Sequence, residues 1–333
     1  MSSATAPSPT PFRPERLDDI PGWFFANDRV LFDWFLGDYQ REVRGDLLEL
    51  GVYLGKSAVL LGRYLHPEEK LTVCDLFDSD AADDEANSAE VSDFYQSNLS
   101  RDRFEQNYLA FHDRLPEIIE APTSVLADGR VRDGSCRFVH VDASHLYEHV
   151  AGDIQVARKA LMPNGVVVLD DYRSEHTPGV SAAVWQAVLD HGLHPICVSP
   201  QKFYGTWGDP EPARAALRSA LAQWPQRGSA EHSLAGENFI QMWGKGEPPA
   251  FPLSRFHAEL EAERAAAGKA KKAARAAGTD QDDKALAAAK TEEQRARAAR
   301  ARQPSARLKR LAVDWLPPVV TRAVVRRRRR SRA

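Results

Sequence analysis

Cysteine is scarce, long apolar runs are missing and no export signal opens the chain. The three cysteines, Cys74, Cys136 and Cys197, are odd in number, widely spaced and set in apolar runs. Reduced thiols of a cytoplasmic protein fit that pattern; a disulfide framework or a zinc site does not. No apolar stretch approaches the roughly 20 residues that a membrane-spanning helix needs. The opening Met-Ser-Ser-Ala-Thr-Ala-Pro-Ser-Pro has no basic segment followed by an apolar one, so it does not read as a secretory signal. Glycine-rich nucleotide signatures are missing too. A P-loop needs four residues between its glycines, whereas Gly51 and Gly55 enclose three. No Gly-x-Gly-x-x-Gly marks a nicotinamide site.

What is present is divided unevenly. The 333 residues carry 44 basic and 47 acidic side chains, a net charge of −3. From Phe251 to the end, 22 Lys and Arg face 9 Asp and Glu, leaving 22 basic and 38 acidic in the first 250 residues. A basic C-terminal region and an acidic body imply two parts with different roles. A hydrophobic content of 43% supplies a real core and excludes global disorder.

Residues 1–18, rich in Ser, Pro and Ala, read as a flexible leader. Residues 19–248 carry a repeating theme of strand, turn and helix. Strand patterns fall at 46–50, 71–75, 137–141 and 165–169, with weaker ones at 117–120 and 194–198. Helical spacing fits 27–41, 56–65, 101–115, 148–162 and 179–191. This alternation predicts an α/β fold, a Rossmann-like, doubly wound and mostly parallel sheet with helices on both faces. Asn238–Trp243 is expected to close the sheet edge. The stretch from Asp75 through Asp93 holds eight acidic residues and no basic one, a solvated loop or a lid. Residues 249–333 predict an α-helical C-terminal extension, rich in Ala, Arg, Lys and Glu.

Two clusters carry chemistry. Glu49-Leu-Gly51-Val-Tyr53-Leu-Gly55-Lys56-Ser57 ends a strand on an acid and opens a helix through a glycine turn, a geometry that lets backbone amides approach an anionic group. Asp75 ends the next strand, where a carboxylate can accept hydrogen bonds from a ribose. The second cluster is Val-Asp142-Ala-Ser-His145 with Leu-Asp170-Asp171-Tyr172. The carboxyl ends of adjacent strands share one rim, so Asp142, Asp170 and Asp171 are expected to converge. Such carboxylates repel unless a cation or shared proton compensates. Oxygen donors without thiolate suit Mg²⁺. His145 on the same loop suits proton acceptance near neutral pH.

These motifs, with Leu161-Met-Pro-Asn-Gly165, resemble the class I S-adenosylmethionine-dependent O-methyltransferases. Within them they are most similar to the metal-dependent, macrocin-type sugar O-methyltransferases. The resemblance covers about residues 28–200. It implies that Glu49, Gly51, Tyr53, Gly55 and Ser57 surround the methionine end of S-adenosylmethionine, with Asp142 also on the cofactor side. It further implies that Asp75 holds the ribose hydroxyls and that Ser124 lies beside the adenine. Asp142, Asp170 and Asp171 would bind Mg²⁺, and His145 would be the base. Lys56 stands where relatives often carry a small residue. The Asp142–Asp170 interval also resembles the catechol-type enzymes, which have lysine where this chain has His145.

The expected activity is therefore Mg²⁺-dependent methyl transfer to a hydroxyl of a sugar, glycosylated metabolite or glycan. A phenol or catechol acceptor is the first alternative. A non-catalytic binding protein working through its basic tail is the second. In that tail, Leu308, Leu311, Trp315, Leu316, Val319 and Val320 precede Arg326–Arg330. This pattern over 305–333 suits an anionic membrane surface, and so peripheral attachment, better than nucleic acid, because no aromatic stacking platform accompanies it. Self-association through the tail is the remaining alternative.

Overall fold

A computed structural model describes residues 12–78 and 99–276. The acidic stretch up to Asp93, apart from 75–78, and the amphipathic basic segment 305–333 lie outside the described residues. The chain divides into two units, one up to Leu260 and one from Glu261 onward.

In the first unit, nine strands form one sheet. They are β1 (Asp46–Leu50), β2 (Leu71–Asp75), β3 (Glu117–Glu120), β4 (Cys136–Val141), β5 (Leu161–Leu169), β6 (His194–Val198), β7 (Phe203–Thr206), β8 (Arg227–Leu234) and β9 (Glu237–Gly244). The order across the sheet is β3-β2-β1-β4-β5-β7-β6-β9-β8. The strands from β3 to β5 run parallel, β7 is antiparallel to both β5 and β6, and β8 is antiparallel to β9. The sheet is thus α/β and mostly parallel, as the sequence pattern predicts. Asn238–Trp243 lies one place inside the edge, which belongs to β8.

Seven helices accompany it among the described residues: α1 (Ala26–Trp34), α2 (Lys56–Gly62), α3 (Arg101–Leu109), α4 (Tyr147–Ala160), α5 (Pro178–Asp190), α6 (Glu211–Leu221) and α7 (His257–Ala276). The helix expected over 27–41 passes into a wider turn at Phe35–Tyr39, and the one expected to reach residue 115 ends at Leu109. Strand side chains alternate between two cores. Leu47, Phe138, Val166 and Val168 pack with α1, α2, α3 and α6. Leu48, Leu50, Val139, Val167 and Leu169 pack with α4 and α5 on the other face. Period-2 alternation between two apolar cores is what a strand buried on both faces requires.

Leu17 and Ile20 are buried. The Glu15 carbonyl accepts a hydrogen bond from the Ser254 amide at 2.9 Å, and the Glu15 carboxylate meets His257 Nδ1 at 2.6 Å. Among the described residues, no helix is long and apolar enough to cross a membrane. In the second unit, the described part of α7 shows exposed side chains from Glu261 to Lys272.

Candidate active site

The site is built by hydrogen bonds that carry the strand ladder one residue past its end. The Gly51 amide donates to Cys74 O at 2.8 Å, the Asp142 amide to Leu50 O at 2.7 Å and the Asp170 amide to Val141 O at 3.0 Å. Four adjacent strands therefore deliver Asp75, Gly51, Asp142 and Asp170 to one rim. Gly51 has φ +78°, and a Cβ there would lie 2.2 Å from the Asp142 carbonyl oxygen. Only glycine lets the β1 turn and the β4 loop approach this closely.

On the β1 side, Asp75 is committed to the glycine turn. Its Oδ2 accepts the Val52 and Tyr53 amides at 2.6 and 3.0 Å, and its Oδ1 accepts the Phe77 amide at 2.9 Å. Burial raises this carboxyl above its ordinary value, and the three amides oppose the rise. Oδ1, with a single amide partner, keeps lone-pair capacity for a ligand hydroxyl. Tyr53, at φ +49°, stacks on Trp23 with ring centroids 5.9 Å apart. The Lys56 ammonium donates to the Gly22 carbonyl at 3.0 Å. Ser57 sits in the first turn of α2, near the Glu49 carboxyl, whose value it lowers. Gly55, at φ +89°, caps that helix. Ser124 is exposed on the short turn after β3.

Glu49 is fully buried, and burial pushes its carboxyl up to about 8 against the opposing effects of Ser57 and the Lys202 charge. Its Oε1 lies 2.7 Å from His140 Nδ1, while its Oε2 has no hydrogen-bond partner. A buried, unpartnered acceptor beside a glycine turn is a ready site for a ligand cation.

On the β4–β5 side, His145 Nε2 lies 3.3 Å from Asp171 Oδ2. The Ser174 hydroxyl donates to Asp171 Oδ1 at 2.7 Å. Burial would raise the Asp171 carboxyl, but the bonds from His145 and Ser174 and the charges of His145 and Lys202 bring it down to about 2. Asp171 adopts φ +53°, and its amide donates to Asp170 Oδ1 at 2.8 Å. Asp142, His145, Asp170 and Asp171 line one small cavity with Ser144. A larger hollow of about 370 Å³ lies by Leu126 and Lys159, and none of the rim carboxylates lines it.

The expected trio of Asp142, Asp170 and Asp171 is only partly brought together. Among the described residues, the rim groups whose ligand atoms converge, within 4.8 Å of one another, are His140, Asp142 and Asp170. Asp171 serves His145 instead. The sequence reading missed His140, and it missed Lys202. This lysine follows the turn after β6 and is 1% exposed. Its ammonium pairs with Asp170 Oδ2, lies 3.8 Å from Asp142 Oδ2 and 3.0 Å from His140 Nε2. Burial and then the Lys202 charge hold His140 well below its ordinary value, so the ring is neutral. Burial and the neighbouring Asp170 raise Asp142. Asp28, also buried, accepts the Tyr204 hydroxyl at 2.8 Å, and burial lifts it to about 6 against the pull of Lys202.

Residues 48–172 match the family described as a methyltransferase domain. Among solved structures, the chain is similar to the O-methyltransferase NovP, with 18% identity, 54% of this chain and 79% of that one covered, and a TM-score of 0.44. It is also similar to apo CalS11, a TDP-rhamnose 3'-O-methyltransferase of calicheamicin biosynthesis, with 21% identity, coverage of 55% and 80%, and a TM-score of 0.38. A third is MycE from the mycinamycin pathway, in complex with Mg and SAH, with 15% identity, coverage of 57% and 52%, and a TM-score of 0.37. No curated protein sequence matches the chain.

Proposed function

We propose that the chain is a class I S-adenosylmethionine-dependent methyltransferase, a reading supported by the methyltransferase-domain match over residues 48–172, and that it methylates a hydroxyl of a sugar or glycosylated metabolite. S-adenosylmethionine supplies a sulfonium methyl, an electrophile that needs an oxygen nucleophile aligned with it. The unpartnered Glu49 Oε2 supports a role in holding the cofactor's ammonium, with Gly51, Tyr53, Gly55 and Ser57 around it. Asp75 retains acceptor capacity for ribose hydroxyls.

The observation that carries the reading is the His145–Asp171 pair on the same cavity wall as Asp142 and Asp170. An alcohol is a poor nucleophile until its proton leaves. His145 takes that proton, a contribution typically of about 10²–10⁴-fold. Asp171, ionised down to about pH 2, fixes the imidazole and stabilises its charged form. Most of the remaining acceleration comes from holding oxygen and methyl carbon in register.

Asp142 and Asp170 supply hard oxygen donors that fit Mg²⁺, and they would hold it; the ion would then stabilise a developing alkoxide. Lys202 already meets both carboxylates, so any divalent ion shares them with an ammonium.

The test is methyl transfer from labelled S-adenosylmethionine to a panel of sugars, glycosylated metabolites and catechols, with His145→Ala in parallel. Transfer to a sugar hydroxyl, lost in the variant while S-adenosylhomocysteine still binds, is the expected result. Transfer to catechols alone would replace the sugar reading with the phenol one.

A further inference from the structure

The rim has a cation of its own. Asp170 Oδ2, Asp142 Oδ2 and His140 Nε2 surround the Lys202 ammonium, and they are the same groups whose ligand atoms converge as a candidate metal cluster. Asp28 faces it from α1, and the Phe24 ring lies 5.8 Å away. The lysine is anchored at its backbone: its amide donates to Ser199 Oγ at 2.8 Å, and its carbonyl accepts the Ser199 amide at 2.9 Å.

Hydrogen-bond chemistry fixes the rest. An ammonium only donates, so His140 Nε2 accepts and Nδ1 carries the ring proton. That proton points to Glu49 Oε1. Lys202 thereby also sets the tautomer of the histidine that orients Glu49.

We propose that Lys202 is the resident cation of the acceptor site and competes with divalent metal for Asp142 and Asp170. This rests on the methyltransferase reading above. Two cations on the same pair of carboxylates repel strongly in a poorly solvated site. A side chain 1% exposed cannot move to water without rearranging the turn that carries it. The wild-type site therefore binds Mg²⁺ weakly. Removing the ammonium frees the carboxylate oxygens and leaves the site one unit less positive.

Calorimetric titration of Mg²⁺ and Mn²⁺ into the full chain loaded with S-adenosylhomocysteine tests this, comparing wild type with Lys202→Met. At least tenfold tighter metal binding by the variant is expected. A purely structural lysine would give weaker binding on removal, so affinity that is unchanged, weaker or absent in both proteins overturns the proposal. If wild type fails to bind S-adenosylhomocysteine, the methyltransferase reading itself falls. Should the variant not fold, nitrogen NMR of the Lys202 ammonium in wild type decides. Its resonance should shift as Mg²⁺ is added; an unmoved resonance at saturating Mg²⁺ overturns the competition.

Discussion

His145 Nε2 stands 3.3 Å from Asp171 Oδ2, and the Ser174 hydroxyl holds the other oxygen of that carboxylate at 2.7 Å. The imidazole is thus oriented by a group that is itself fixed. Asp171→Asn keeps the shape and tolerates the left-handed backbone, but removes the charge that stabilises the imidazolium. Methyl transfer should fall by about 10²-fold or more in Asp171→Asn, and at least as far in His145→Ala. S-adenosylhomocysteine affinity should hold within threefold, which calorimetry checks.

Gly51 makes a stability prediction. In Gly51→Ala the new carbon would meet the Asp142 carbonyl oxygen at 2.2 Å and Ala143 Cα at 2.5 Å, both backbone atoms, at φ +78°. A loss of roughly 3 kcal/mol or more is expected from strain and clash together. Chemical denaturation measures it, and a wild-type midpoint would contradict the close approach.

The Glu49 carboxyl, at about 8 in the folded chain, has an ordinary value of 4.5. The folded protein therefore keeps a proton that the unfolded chain releases. Stability from this group is complete below the unfolded value and is lost as pH rises through the folded one. Glu49→Gln abolishes that loss. Between pH 5 and 9 the cofactor-free variant should lose less stability than wild type, by on the order of a few kcal/mol. Parallel profiles would refute the assignment.

Arg137 and Glu69 form a buried pair at 3.0 Å, with side-chain exposures of 0% and 4%. Arg137 also donates to the Tyr64 carbonyl at 2.7 Å, joining β4 to the segment between α2 and β2. Arg137→Met leaves Glu69 buried without its partner and should cost about 3–5 kcal/mol. Replacing both residues by methionine should cost less than the two single changes added together. Strict additivity in the denaturation midpoints would show that the pair is uncoupled.

The carboxyl rim was readable from sequence because β1, β2, β4 and β5 are short, largely apolar strand patterns that each run into a glycine or an acid. Asp142, His145, Asp170 and Asp171 follow those ends directly. Lys202 was not readable. Gln201-Lys202-Phe203 looks like an ordinary polar turn, and Phe203–Thr206 is only four residues long. Its role comes from topology. β7 runs antiparallel to β5, pairing Phe203 with Leu169, so it begins where its neighbours end. The division of labour between Asp170 and Asp171 was equally hidden, since adjacent acids look alike until the backbone of one turns left-handed. β8 escaped because Arg227–Leu234 is mostly polar and exposed, as a sheet-edge strand can be.

The fastening of Ser254 and His257 onto Glu15 has a topological consequence. Glu15 and Ser254–His257 thus lie side by side, so a short linker could join the chain at these points and new termini be opened elsewhere. The two-residue hairpin tip at Ala235-Gly236, between β8 and β9, is a natural cut point. Such a circular permutant would begin with β9 and end with the edge strand β8, with β4, β5 and β7 uninterrupted along its length.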